Sequence, residues 1–260
     1  LALELNLSLS HLLFLDDSPH ERAWVRSQIP ELLVPDLPGD PGRWADWIAG
    51  LPSLTVLQRT AEDARRTDQY REQRAREEFR QNTGSMEDFL RGLGLRVTID
   101  RVRDGTFPRV AQLLAKTNQF NLTTRRHDEV TLRRQVAEGW RVYTMHVTDT
   151  FGDFGLTGVA IAVPHGESWH LDSFLMSCRV IGKSVETALL ARIAADARAE
   201  GARRLTAEFI ESGRNEPARS FLPAHGFTAG PEGRLTRALD DGGPAWPEWI
   251  EAVEDTEVRA

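Results

Sequence analysis

The chain's 260 residues suffice for one or two domains with a sizeable core, and 40% hydrophobic with 27% charged residues excludes a disordered, collagenous or low-complexity protein. A single cysteine, Cys178, allows neither an internal disulfide nor a CxxC zinc site, which fits a reducing cytoplasm. Apolar runs reach only about six residues where a membrane span needs roughly 18, so no membrane partner is expected, and a chain opening on Leu1 leads us to expect a segment missing upstream.

The net charge of −7 is uneven. Residues 240–260 carry seven acids against Arg259, whereas residues 100–141 hold nine Lys or Arg against five Asp or Glu. That local excess can attract an anionic ligand such as a phosphate ester or an acidic carrier protein. No nucleic-acid partner is expected, because no basic stripe is interleaved with stacking aromatics.

Residues 12–15, LLFL, read as a short strand that ends in Asp16-Asp17-Ser18-Pro19 and leads into a helix. Residues 30–53 are proline-rich, with LLVP as a second short strand and one or two helical turns over residues 42–48. Between Leu57 and Arg80 seven arginines alternate with six acids, which predicts a long solvated helix, broken near Asn82-Thr83-Gly84. A second unit opens at Leu95 with a strand LRVTIDRV, helices over 107–116 and 128–138, and strands at 140–147, 155–163 and 168–176. A helix over 183–200, a strand RRLTAEFI, a short helix after Asn215-Glu216-Pro217 and a strand near 234–239 complete it. The fold class expected is α/β: residues 1–53 as the tail end of one α/β domain, 54–93 as a helical linker, 94–240 as a mixed domain with helices around a mostly antiparallel sheet, and 241–260 as an acidic tail.

Two carboxylates after a buried strand stand where open α/β sheets place ligands, and their oxygens suit Mg²⁺. Ser18-Pro19-His20-Glu21 is also a capping box with proline at the first helical position, which accounts for Ser18 and Glu21 without a ligand but leaves Asp16 unexplained. The polar run from Lys116 to Arg126 reads as a loop that satisfies its own backbone. Cys178 is either a small buried hydrophobe or a thiol whose setting, at a strand end, before a helix N-terminus and beside Arg179, favours the thiolate. Asp172 shares its strand but lies roughly 20 Å away if the chain is extended. A base for Cys178 must therefore come from another segment, with His127, His146, Asp149, Asp153, Asn118 and Asn121 as the polar candidates.

The segment LLFLDDSPHERAWVRSQIPEL resembles the last motif of haloacid-dehalogenase-like (HAD-like) phosphatases, in which acids after a strand help hold Mg²⁺. That resemblance implies that Asp16 and Asp17 are ligands of an incomplete metal site, because the family's D-x-D nucleophile motif is absent from the sequence. Four further blocks, KTNQFN at 116–121, DTFGDFGLTGVAIA at 149–162, DSFLMSCRVIGKSVETALL at 172–190 and RNEPARSFLPAHGF at 214–227, are similar in order to the FkbH-like family. Such proteins join a HAD-like phosphatase domain to a GNAT-like acyltransferase domain and load a glyceryl unit from 1,3-bisphosphoglycerate onto an acyl carrier protein for polyketide assembly.

The resemblance implies a catalytic group of Cys178, Asp172, His127 and Asn118, with Cys178 holding the (phospho)glyceryl group as a thioester before a phosphopantetheine thiol receives it. Arg179, Val180, Ile181, Gly182, Lys183 and Ser184 fit the GNAT loop Q/R-x-x-G-x-G/A, except that Ser184 replaces the final small residue. With Asn215 they would cradle the pantetheine arm or coenzyme A. Lys116, Thr117, Asn118, Asn121, Arg125, Arg126 and Asp153 would line the anion site of a phosphorylated three-carbon substrate. Leu222 stands where GNAT acetyltransferases often carry a tyrosine. The alternatives are a coenzyme-A-dependent N-acyltransferase and a catalytically dead module that docks a carrier protein.

Overall fold

The computed structural model describes Leu9 and residues 12–54, 66–230, 233–240 and 242–254, with side chains of the helix beginning at Arg66 described from residue 71 onward. The chain divides into two compact units, Leu1–Tyr70 and Arg71–Ala260. Among the described residues, no helix is long and apolar enough to cross a membrane.

In the first unit, helix α1 (Pro19–Gln28) starts as its sequence dictates, with Pro19 in the first turn and the Ser18 hydroxyl accepting from the Glu21 N–H. The rest of the expected capping box is replaced: Asp16 Oδ1, not Glu21, accepts from the Ser18 N–H at 2.8 Å. The two expected strands reduce to a single parallel bridge between Leu13 and Leu33. A 3-10 turn (Pro41–Arg43) and α2 (Trp44–Ala49) follow where helical turns were expected. Val25 and Val34 are the buried hydrophobics among this unit's described residues, so a HAD-like remnant rests on the sequence resemblance alone.

The second unit is a mixed α/β fold around a largely antiparallel sheet. It takes in α3 (Arg66–Gln81) from residue 71, then α4 (Met86–Gly92), with the break falling at Thr83-Gly84 as expected. The sheet begins with β1 (Leu95–Arg101), α5 (Phe107–Lys116), β2 (Phe120–Asn121), α6 (Glu129–Ala137), β3 (Arg141–Asp149), β4 (Gly152–His165) and β5 (Ser168–Met176). It continues with α7 (Val185–Ala199), β6 (Arg204–Ala207), α8 (Glu216–Arg219), α9 (Phe221–Ala224), β7 (Thr228–Ala229), β8 (Leu235–Ala238) and β9 (Ile250–Ala252). The strand order is β7-β8-β6-β5-β4-β3-β1-β9, with β2 attached to β5 off that path. Only the β5/β6 and β1/β9 pairs are parallel among its neighbours.

Strand alternation sends successive residues to opposite faces, and each face has its own core. Val142, Val159, Ile161 and Leu175 meet Phe107, Val110, Leu113 and Leu114 of α5 and Leu132 of α6. Their neighbours Tyr143, Ala160, Ala162 and Phe174 join the other cluster, with Val185, Leu189 and Ile193 of α7. The α5 set recurs at helical spacing, which is why its bounds were readable in advance. Two expectations change. The strand RRLTAEFI pairs only over Arg204–Ala207, and the acidic tail supplies an unexpected strand: β9 runs parallel to β1, and Trp246 and Trp249 pack against the core.

Candidate functional site

The geometry of interest lies where β5 ends. β4 pairs with β5 along its whole length, but β6 pairs only with Ser168–Leu171. Beyond Leu171 that second edge of β5 is taken by β2: Asn121 pairs with Leu175, Phe120 with Met176, and the Leu122 N–H donates to the Phe174 carbonyl at 3.0 Å. This register brings the α5–β2 connection to the end of β5 from which Ser177 and Cys178 lead off. Asn118 belongs to that connection, its side-chain oxygen accepting from Arg126, which also donates to the Leu114 and Thr117 carbonyls at the end of α5.

Cys178 is exposed and opens a 3-10 turn (Cys178–Val180) that leads into α7. Gly182 has φ +78°, open to glycine without a steric penalty, and Ser184 holds a left-handed conformation at φ +62° as the N-cap. The turn thus has a bent form at the head of a long helix, with Lys183 folded back onto it and Arg179 Nε donating to the Ser177 hydroxyl at 3.2 Å. Lys183 is turned inward: its ammonium donates to the Arg179 carbonyl at 3.2 Å and lies 5.6 Å from the Phe154 ring centroid. Burial first, and the neighbouring Arg76 charge second, push the Lys183 pKa down. Glu186 folds its carboxylate back on its own N–H, its Oε2 is buried without a hydrogen-bond partner, and burial pushes its pKa up.

Asp172 and His127 do meet. Asp172 Oδ2 accepts from His127 Nε2 at 2.8 Å and from the Ser173 hydroxyl at 2.9 Å, while Oδ1 accepts from Arg125 Nη1 at 2.9 Å. His127 Nδ1 lies 3.2 Å from the Gln135 side-chain amide of α6, and the other arm of Arg125 reaches Glu208, just past β6, at 2.8 Å. This group sits four residues before the end of β5, roughly 13 Å along an extended strand, so it does not reach Cys178. Its geometry fastens the segment after β2 to β5 and to the chain beyond β6.

The remaining expected site residues fall into three settings. Asn121 and Asn215 are buried, and both amides are engaged within the protein. Asn121 Nδ2 donates to the Thr117 carbonyl and its Oδ1 accepts from the Thr123 and Thr124 N–H groups. Asn215 Nδ2 donates to the Asn121 and Ile210 carbonyls and its Oδ1 accepts from the Ser212 N–H, so its amide fastens the surrounding loop. Lys116 is exposed at the end of α5, and Asp153 pairs with His146 at 3.0 Å. His146 in turn lines an open pocket of about 470 Å³ with Thr98, Asp100, Arg103 and Thr144, apart from Cys178.

Asp16 and Asp17 are tied into the first unit by their own hydrogen bonds. The Asp16 carboxylate caps α1, the buried Arg22 donates to both their carbonyls, and no group of three or more His, Cys, Asp or Glu side chains able to hold a metal occurs among the described residues.

One buried pair was not foreseen. Arg76 of α3 is 4% exposed and grips Asp149 at 2.6 and 2.9 Å, the Asp149 side chain being fully buried at the end of β3. Asp149 Oδ1 also accepts from the Phe151 and Gly152 N–H groups, and the Arg76 guanidinium lies over the Phe154 ring at 3.9 Å. Charge counting along α3 cannot single out one arginine among several. The signal available was Asp149 itself, an acid at a turn flanked by Phe151 and Phe154.

No family model matches the sequence, and no curated protein matches it. Solved structures similar to it include an acetyltransferase of the GNAT family from Staphylococcus aureus Mu50, 9% identical, covering 55% of this chain and 99% of that one with a TM-score of 0.44. The ribosomal-protein-S18-alanine N-acetyltransferase from Escherichia coli is 16% identical over 55% of this chain and 90% of its own, with a TM-score of 0.41. N-acetylglutamate synthase from Neisseria gonorrhoeae, in complex with coenzyme A and N-acetyl-glutamate, is 20% identical over 55% of this chain and 35% of its own, with a TM-score of 0.43. Likenesses this distant bear on neither the chemistry nor the substrate of this chain.

Proposed function

We propose that the second unit is an acyltransferase that moves a (phospho)glyceryl group from an acyl phosphate, through a thioester on Cys178, to the phosphopantetheine thiol of an acyl carrier protein. The observation that carries this reading is the position of Cys178: exposed, at the end of β5, and at the head of the turn into α7. The Cys178 thiolate would attack the acyl carbon, the bond to phosphate would break, and inorganic phosphate would leave beside Arg179. The carrier's thiolate would then attack the thioester and release the Cys178 thiolate, an exchange between two thioesters of similar energy. His127 and Asp172 hold the segment that borders this end of β5 and are positioning residues. The sequence resemblance supplies the glyceryl and carrier-protein identities.

The test is incubation of the chain with fresh 1,3-bisphosphoglycerate, followed by intact mass and peptide mapping. A hydroxylamine-sensitive phosphoglyceryl adduct on Cys178 is expected, lost in Cys178→Ala with melting behaviour unchanged. An equal adduct in Cys178→Ala overturns the reading. The second reading, coenzyme-A-dependent N-acyl transfer, draws on the β5, turn, α7 arrangement and predicts acetyl-CoA turnover that survives Cys178→Ala. A docking module predicts carrier binding with no adduct.

A further inference from the structure

Two parallel strands that diverge leave unpaired N–H and C=O groups along their facing edges, and an amide-bearing ligand adds to such an edge as a peptide strand does. β5 and β6 diverge in this way after Leu171, directly before the turn that leads into α7. In this chain the gap is filled from within. Residues 120–122 bond to β5 on one side, and on the other the Leu122 carbonyl accepts from the Ile210 N–H at 2.8 Å.

The filling is held on every side. Phe120, Asn121 and Leu122 are 4%, 0% and 1% exposed. The Phe120 ring centroid lies 6.4 Å from that of Phe174 and 5.4 Å from that of Phe221. Asn215 donates to the Asn121 carbonyl at 2.8 Å, and the Thr123 hydroxyl donates to the Asp172 carbonyl at 2.9 Å. Arg125 spans from Asp172 to Glu208 across the two diverging strands. Pulling the segment out would leave these buried polar groups without partners.

We propose that residues 120–122 are a permanent, self-supplied strand that seals the β5–β6 gap against the arm of coenzyme A or phosphopantetheine, so that a thiol-bearing partner reaches the chain only past Met176, at Cys178. This rests on the acyltransferase reading and narrows it: the acyl donor is a small acyl phosphate, and the carrier thiol approaches from outside the sheet.

Hydrogen exchange on the full chain, with and without excess coenzyme A, tests the seal. Segments 117–124 and 172–176 are expected to exchange slowly and at the same rates in both conditions. Faster exchange at 117–124 together with new protection at 172–176 on adding coenzyme A would show the strand giving way to the arm, and would overturn the proposal. In Asn215→Ala the 117–124 segment is expected to exchange at least tenfold faster, whereas unchanged exchange would remove the fastening argument; should that variant not fold, the unmodified chain still decides. Failure of the Cys178 reading shows in the adduct map, and failure of the seal shows in exchange.

Discussion

Two carboxylates in the second unit have their pKa values displaced in opposite directions. At Asp172, burial alone would raise the pKa, but the hydrogen bonds from His127 and Ser173 and the charges of His127 and Arg125 outweigh it and hold the carboxyl below its ordinary value. A folded pKa below the unfolded one contributes stability that is present above about pH 4 and is lost as pH falls through the folded value. We expect Asp172→Asn to cost about 3 kcal/mol at pH 7, the loss incurred when one partner of a buried ion pair is removed, and less at pH 3, read from urea unfolding at both pH values. Glu186 is the reverse case. Burial raises its pKa, so folding is penalised as pH rises from the unfolded pKa toward the folded one. Glu186→Gln is therefore expected to raise the melting temperature at pH 7 and leave it unchanged at pH 4; a gain of equal size at both would deny the titration.

Among the elements, α3 shows what a sequence reveals and what it conceals. Its alternating charges predicted a solvated linker, and most of its described charges are indeed exposed, but Arg76 reaches inward to Asp149 and Phe154. Replacing Arg76 with alanine leaves the buried Asp149 carboxylate without its cation, for an expected loss of about 3–5 kcal/mol in chemical denaturation. Lysine should restore only part of this, since an ammonium cannot make the two-pronged contact. Less than about 1 kcal/mol lost in Arg76→Ala would mean that the pair is incidental. β1, β3, β4, β5, α5 and α7 were legible because each runs for seven or more residues, β1 and α5 burying residues at their own period and β3, β4 and β5 reading as apolar stretches buried on both faces. β2 was not, being two residues inside a polar run whose asparagines and threonines read as a loop. The candidate site was legible in its residues but not in its grouping. His127 and Asp172 proved to be partners because β2 and β5 pair, and that pairing has no periodic trace in the sequence; Asn215 looked like a ligand group until its amide was found on the Asn121 and Ile210 carbonyls.

At the scale of the whole molecule, the open question was whether the acidic end of the chain serves the fold or stands apart from it. Its seven acids, close together, repel one another. Hydrophobic residues between them decide otherwise. Ile250 is 4% exposed, Trp246 donates its indole N–H to the Ile250 carbonyl at 2.7 Å, and the Val253 N–H donates to the Val97 carbonyl at 2.9 Å. Acids find arginines as well: Glu248 meets Arg91 at 3.0 Å and Glu251 meets Arg96 at 3.1 Å, both exposed pairs that contribute little by themselves. Burying Ile250 contributes about 2 kcal/mol, and the tryptophans add to it. Removing residues from 246 onward should lower the melting temperature by roughly 5–10 °C, given about 2–4 °C per kcal/mol for a unit of this size. It should also bare the outer edge of β1, whose Leu95 and Val97 backbone groups then lack partners, so that the shortened chain self-associates in light scattering while the intact chain does not. An unchanged melting temperature and an unchanged particle size in the shortened chain would place β9 outside the cooperative fold and return the acidic end to the role of a tail.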